Sequence, residues 1–255
     1  MSVRILASTT SHKAEPLLPT LEICGRLGLH DVDLNLHHIL ELGEPVDAIR
    51  AQADASGLRI HGLAGGWCDF FETAPRIDET FRSVDRQVAL AEQFGVTLLR
   101  LFFGRLRFED YSATSRETIV ANLRALSDRH PGMRFMFENH DGASARPDVC
   151  RDILAHADRS NIRMNFDPIN FERAGWNCLE AARILAPFTG HVHLKGLERG
   201  EFCEFGVGDV DLTPVLHVLA DAGFTGQLSV EYEGTSDKTL RLYESVKRAR
   251  KVLAP

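Results

Sequence analysis

Apolar and polar positions follow a rhythm that repeats along the whole chain. Short runs rich in β-branched and apolar residues occur at Val3–Ala7, Asp31–Leu36, Leu58–Leu63, Thr97–Phe103, Arg134–Asn139, Ile162–Asp167, Gly190–Lys195 and Leu228–Glu233. Each has the length and character of a strand. Their starts fall about 27 to 39 residues apart, the length of one strand–helix unit. Between them, apolar residues recur at helical spacing. Helices are predicted over Pro16–Leu27, Pro45–Ser56, Ile77–Phe94, Ser115–His130, Pro147–Ala157, Cys178–Ala186, Leu212–Ala222 and Lys238–Leu253. Gly28, Gly57, Gly95, Pro131-Gly132 and Gly223 follow helical segments. Glycine there can take the left-handed turn that ends a helix.

Eight strands alternating with eight helices predict a parallel α/β architecture. The open doubly wound sheet usually carries a glycine-rich turn after its first strand. Here that strand is followed by Ser8-Thr9-Thr10-Ser11-His12, without glycine. Eight repeats in 255 residues fit the closed (β/α)8 barrel better. Neither a linker nor a shift in composition divides the chain, so a single barrel domain over residues 1–255 is the expectation.

Composition narrows the function. The chain is 44% hydrophobic and 25% charged, ordinary for a globular protein. A chain this long buries enough surface to need no disulfide or structural metal. The net charge of −7 argues against a nucleic-acid partner, which calls for a basic patch. Cys24, Cys68, Cys150, Cys178 and Cys203 are scattered and odd in number, as expected of reduced thiols in a cytoplasmic protein. No stretch approaches the ~20 apolar residues of a membrane span. Eleven His residues hint at metal or acid–base chemistry.

The polar residues sit where a barrel builds its chemistry, at the C-terminal ends of the strands. Strand five ends Phe137-Glu138-Asn139-His140, strand six Phe166-Asp167-Pro168, strand seven His191-Val192-His193-Leu194-Lys195 and strand eight Val230-Glu231-Tyr232-Glu233. Residues two apart share a face. If Glu138, Asp167, His193 and Glu231 point inward, three carboxylates and one imidazole converge. That donor set suits a hard or borderline divalent ion, Mn2+ first, with Mg2+, Co2+ or Zn2+ also compatible. Taken singly, each has a plainer reading as a salt-bridge partner or packed residue. Taken together, buried carboxylates of like sign require a cation.

These strand endings resemble the xylose isomerase-like TIM-barrel superfamily of sugar isomerases and epimerases, inosose dehydratases and endonuclease IV enzymes. FENHDG, FDPIN, HVHLKG, FGVGDVDL and LSVEYEG carry the likeness, within residues 134–234. The resemblance implies one divalent metal held by Glu138, Asp167, His193 and Glu231. It also implies that Glu138 and Glu231 are the catalytic acid–base pair. Two positions depart from it. Asn170 stands where epimerases often carry His, and Gly196 where many relatives have Asp. The endonuclease branch is disfavoured, because Asn170 and Asp209-Val210-Asp211 lack its additional His ligands.

Other residues are candidates for substrate contact. His140 and Lys195 share faces with Glu138 and His193; for Lys195 an ion pair with Glu233 is the alternative. Asn170 offers a hydrogen bond to a hydroxyl. Arg100 is either a substrate contact or a guanidinium bridging inward carboxylates. His61 and one of Asp33, Asn35 and His37 are further candidates. Trp67, Phe70 and Phe71 would form an apolar wall or ordinary loop packing; Arg105 and Arg107 would hold an anion or merely line a solvated loop.

The leading expectation is a metal-dependent isomerase or epimerase of a small ketose or keto-sugar, acting through an enediolate. A dehydratase of a keto-inositol or keto-sugar is the alternative. A non-catalytic sugar-binding subunit is the third. The expected partner is a sugar or polyol-derived small molecule; association into a homo-oligomer is left open.

Overall fold

Eight parallel strands close into a barrel, each hydrogen-bonded to the next in chain order. The computed structural model describes residues 3–253. The barrel strands are β1 (Arg4–Ser8), β2 (Asp31–Asn35), β3 (Arg59–Ala64), β4 (Leu98–Phe102), β5 (Arg134–Glu138), β6 (Ile162–Phe166), β7 (Thr189–Leu194) and β10 (Gln227–Val230). The closed eight-stranded barrel expected from the spacing is the architecture found. Between β7 and β10 lies a small antiparallel hairpin, β8 (Gly196–Glu198) and β9 (Glu201–Cys203). Strands this short leave no alternation to read, and the hairpin had no counterpart among the expected elements.

The outer helices are α1 (Leu17–Arg26), α3 (Val46–Ala55), α4 (Arg76–Phe94), α5 (Ala113–Arg129), α6 (Pro147–Ala157), α8 (Cys178–Leu185), α9 (Thr213–Asp221) and α10 (Lys238–Val252). Their sequence causes are local. Ser112 opens α5 by accepting from the Ser115 amide, while the Ser115 hydroxyl accepts from the Ser112 amide. Gly95 closes α4 at φ 67°, a conformation glycine takes without strain. Each helix turns an apolar stripe inward, as Val84, Val88 and Ala91 of α4 do, and these rows meet the strands in one continuous core. Two short helices sit on the C-terminal rim of the barrel, α2 (His37–Leu40) and α7 (Pro168–Arg173).

Two register irregularities bear on the site. Val32 pairs with Ile60 but Asp33 pairs with Gly62, so His61 is the extra residue on β3. Met164 pairs with Thr189 but Asn165 pairs with His191, so Gly190 is the extra residue on β7. A bulge of this kind re-aims the side chains beyond it. A Cβ on Gly190 would lie 2.9 Å from Met136 Sδ and 3.0 Å from Arg163 Cβ, so the position is built for glycine.

All five cysteines are free, and four of them are buried. No helix among the described residues is long and apolar enough to cross a membrane.

Candidate metal and substrate site

Glu138 closes β5, and Asp167, His193 and Glu231 lie at the ends of β6, β7 and β10. The structure brings one potential ligand atom from each within 4.8 Å of all the others, and all four residues are buried. Asp167 is fixed from two sides. It caps α7, accepting from the Ile169 and Asn170 amides at 3.0 Å through Oδ1, while Pro168 begins the helix. Asn139 then exchanges two hydrogen bonds with its backbone: the Asn139 amide donates to the Asp167 carbonyl at 2.8 Å, and the Asp167 N–H donates to Asn139 Oδ1 at 2.9 Å. Asn139 was not among the expected site residues. Its one sequence signal, a fully buried amide position beside Glu138 on the opposite strand face, emerges only with the neighbouring strand in place.

Opposite charges surround the carboxylates. His193 Nδ1 lies 3.3 Å from Glu138 Oε1 and 3.5 Å from Glu231 Oε2. Arg100 Nε lies 3.2 Å from Glu138 Oε2, and its Nη1 donates to the Gly65 carbonyl at 3.1 Å. Asn170 Nδ2 donates to Glu138 Oε1 at 3.3 Å and to the Asn139 carbonyl at 3.0 Å. Lys195 Nζ lies 2.9 Å from Asp167 Oδ2 and 3.3 Å from Glu231 Oε2, and also contacts Glu233.

Burial alone would raise the pKa of Glu138, but the charges of His193 and Arg100 outweigh it and hold the carboxyl well below the usual carboxylate range. Glu231 is lowered likewise: burial opposes ionisation, and His193 and Lys195 overcome it. For Asp167 burial wins over Lys195 and raises the pKa. Burial would lower His193, yet Glu138 and Glu231 push it up to about 9. Burial also works against the Lys195 ammonium, and Asp167, Glu231 and Glu233 reverse it. These are charges of one cluster, and each responds to the others.

The donor set fits a divalent ion. Oxygen and nitrogen ligands on opposite sides of one ion at about 2.1 Å lie about 4.2 Å apart, so a small contraction brings the four atoms into one shell. Asp167 Oδ2 and His193 Nδ1 are buried and make no aligned hydrogen bond, so both atoms are free of a committed partner for an ion.

Above the cluster opens a cavity of about 550 Å3, lined by Glu138, Glu231, Glu233, His140, Trp67 and Phe102 among others. Trp67 stacks on Phe102 with centroids 4.1 Å apart, and His140 meets both rings edge-on at 5.2 and 5.4 Å. Trp67 is 39% exposed, with its ring at the edge of the cavity. Asn35 and His37 also line it.

Several candidates are placed elsewhere. His61 is not brought to the mouth. Its Nε2 donates to Asp31 Oδ1 at 2.6 Å and its Nδ1 meets Arg4 at 3.1 Å, at the N-terminal ends of β1 and β2. The bulge on β3 removes it from the inward alternation, and the expected substrate contact there is corrected. Phe70 is fully buried between Phe81 and Phe137, in the core rather than on the cavity wall. Arg105 is paired with Asp69 at 2.8 Å, and Arg107 with Asp110 at 2.8 Å. Gly196 owes its identity to the hairpin: a Cβ there would lie 2.3 Å from the Glu204 carbonyl oxygen.

Residues 21–253 match the family model of the xylose isomerase-like TIM barrel. The chain belongs to that family. It is similar to inosose dehydratases of two Clostridium perfringens strains, 26% identical over 125 residues. That alignment covers 41% of this chain and 42% of theirs, so the match spans about two fifths of the length of these relatives. Among solved structures, the IolI protein with a bound zinc atom superposes with a TM-score of 0.81 at 18% identity, covering 98% of this chain and 96% of that one. The 3-keto-D-glucoside 4-epimerase from E. coli gives 0.77 at 15% identity, covering 98% and 100%. At these identities the structural likeness concerns the fold alone. The proteins it is similar to thus include one named as a dehydratase and, by fold, one named as an epimerase.

Proposed function

We propose that the chain is a divalent-metal-dependent isomerase or epimerase of a small ketose or keto-sugar, with Glu138 and Glu231 as its acid–base pair. One observation carries this: the two glutamates, from β5 and β10, flank the His193 imidazole at 3.3 and 3.5 Å and both line the same cavity. Two carboxylates facing one bound substrate from different sides can remove a proton and return it on the other face.

Glu138, Asp167, His193 and Glu231 would hold the ion. When bound, it supplies the Lewis acidity that polarises a carbonyl and acidifies the adjacent C–H. The oxygen-rich donor set favours Mn2+; the zinc of the IolI structure makes Zn2+ the first competitor. The remaining residues orient and hold charge. Arg100 and Asn170 fix the Glu138 carboxylate in its ionised, proton-accepting form. Lys195 neutralises Glu231 and Asp167 and stands beside the position where an oxyanion develops. Trp67, Phe102 and His140 offer an apolar face for the C–H side of a sugar.

A dehydratase reading has its own support in the similarity to inosose dehydratases. It begins with the same proton abstraction and then expels a β-hydroxyl. Incubation with ketoses, keto-inositols and their phosphates plus Mn2+ in D2O separates the outcomes. One deuterium at a single carbon, in a product of unchanged composition, supports the epimerase or isomerase. Loss of ~18 Da, the mass of one water, assigns the dehydratase. Tight ion binding with no exchange into any sugar leaves a binding module and ends the catalytic reading.

A further inference from the structure

Beneath the four candidate ligands lies a second buried polar layer that the proposed reaction does not use. Asp33 of β2 and His191 of β7 are both fully buried. Asp33 Oδ2 lies 3.8 Å from His191 Nε2 and 3.9 Å from His193 Nε2. Ser229 of β10 donates to the same oxygen at 3.1 Å and fixes the carboxylate in place. Asp33 Oδ1 and His193 Nε2 have no hydrogen-bond partner. A carboxylate with only one hydrogen bond in a protein interior is costly, so its retention calls for a role.

We propose that Asp33 is the positioning residue of His193, an inference that rests on the metal reading above. The imidazole presents two nitrogens to two layers. Nδ1 faces Glu138 and Glu231, and Nε2 faces Asp33. An imidazole that ligates through one nitrogen carries its proton on the other, and a carboxylate facing that N–H fixes both tautomer and ring orientation. Ser229 holds the Asp33 carboxyl with one oxygen 3.9 Å from Nε2, on the side of the ring away from Glu138 and Glu231.

The chain is bent to place this carboxylate. The bulge opposite Val32 and Asp33 sets Asp33 beside Gly62 instead of His61. A Cβ on Gly62 would stand 3.4 Å from Asp33 Oδ1 and 2.8 Å from Leu98 Cδ2, so a larger residue here would crowd Leu98 beside the carboxyl. His191 faces the same oxygen from the strand that carries His193.

The test reads ion binding and tautomer, not turnover. Mn2+ and Zn2+ affinities are measured by calorimetry for wild type, Asp33→Asn and Asp33→Ala, with Val32→Ala as control. Val32 is buried on the same strand, and its loss weakens the strand without removing a group that faces His193. Asp33→Asn is expected to weaken binding about 10-fold and Asp33→Ala up to about 100-fold, with Val32→Ala lowering only the melting temperature. Nitrogen-15 NMR of the Zn2+-loaded wild type should show His193 protonated at Nε2.

Unchanged affinity in Asp33→Asn, or a proton on Nδ1 of His193, overturns the inference while leaving the metal site standing. Two ions per wild-type chain, with one lost in Asp33→Ala, would make Asp33 a ligand of a second site and overturn it equally. A wild-type chain that binds no divalent ion overturns the metal reading and this inference together. The NMR measurement uses wild type alone and stands even where the alanine variant does not fold.

Discussion

Lys195 Nζ lies 2.9 Å from Asp167 Oδ2 and also meets Glu231 and Glu233, so three buried or largely buried carboxylates share its charge. Its ammonium therefore carries part of the charge balance that a divalent ion would otherwise supply alone. Such a pair is weak evidence for net stability, yet breaking it leaves an uncompensated buried charge at a cost of about 3–5 kcal/mol. Lys195→Met should lower the melting temperature of the metal-free protein markedly. The same variant should gain more from added Mn2+ than wild type does, because the ion then replaces a missing cation. Thermal unfolding of both proteins in EDTA and in Mn2+ checks this; equal metal-induced shifts would show that Lys195 and the ion do not share the same carboxylates.

His193 gives ion binding a pH dependence of definite sign. Burial lowers its pKa, but Glu138 and Glu231 raise it to about 9, above the ordinary imidazole value of 6.5. Without metal, its charge therefore stabilises the fold fully below 6.5, and that contribution fades as the pH rises through 9. Ion binding runs the other way, since a ligand imidazole must give up the proton on the ligating nitrogen. Affinity should rise with pH by up to about tenfold per unit through the neutral range, with about one proton released per ion. Calorimetry in buffers of different ionisation enthalpy counts that proton; a release of zero would mean that His193 is already neutral in the metal-free chain.

The two glutamates make separable contributions if each serves one face of the substrate. Glu231→Gln should reduce net conversion by about 10^2- to 10^4-fold. It should still exchange deuterium into the one epimer whose proton faces Glu138. Glu138→Gln should show the mirror pattern with the other epimer. Both amides keep an oxygen able to ligate, so metal content is measured alongside. Full activity of metal-loaded Glu231→Gln would end the two-base mechanism.

The barrel and the clustering of Glu138, Asp167, His193 and Glu231 were legible because both obey simple periods. Strand spacing is a matter of chain length, and inward alternation places Glu138, Asp167, His193 and Glu231 at four strand ends without knowledge of packing. Legibility failed where the period breaks. The extra residues His61 and Gly190 shift the register of β3 and β7 without any local composition signal. Asn139 and the Asp33 layer gain meaning only from strands distant in the chain: Asp33 meets Ser229, and Asn139 meets Asp167. The hairpin that dictates Gly196 is built by close backbone approach, which leaves no apolar pattern.

His61 is the sharpest test of that distinction. From sequence it is a histidine on a barrel strand, with a plausible claim on the substrate. In the fold it is the bulged residue of β3, paired with Asp31 at 2.6 Å and meeting Arg4 at 3.1 Å. Burial would raise the Asp31 pKa, but hydrogen bonds from His61 and Arg59 lower it. Asp31 thus adds stability above its unfolded pKa near 3.8, and the contribution is lost as the pH falls through the lowered value. His61→Ala should remove one charge-assisted contact and cost about 1–2 kcal/mol, less where solvent reaches the half-buried pair. It should leave metal affinity and conversion within twofold of wild type. A loss of ion affinity approaching that expected for Asp33→Asn would mean that the bulge, and not the Asp33 carboxylate, sets the geometry of the layer beneath His193.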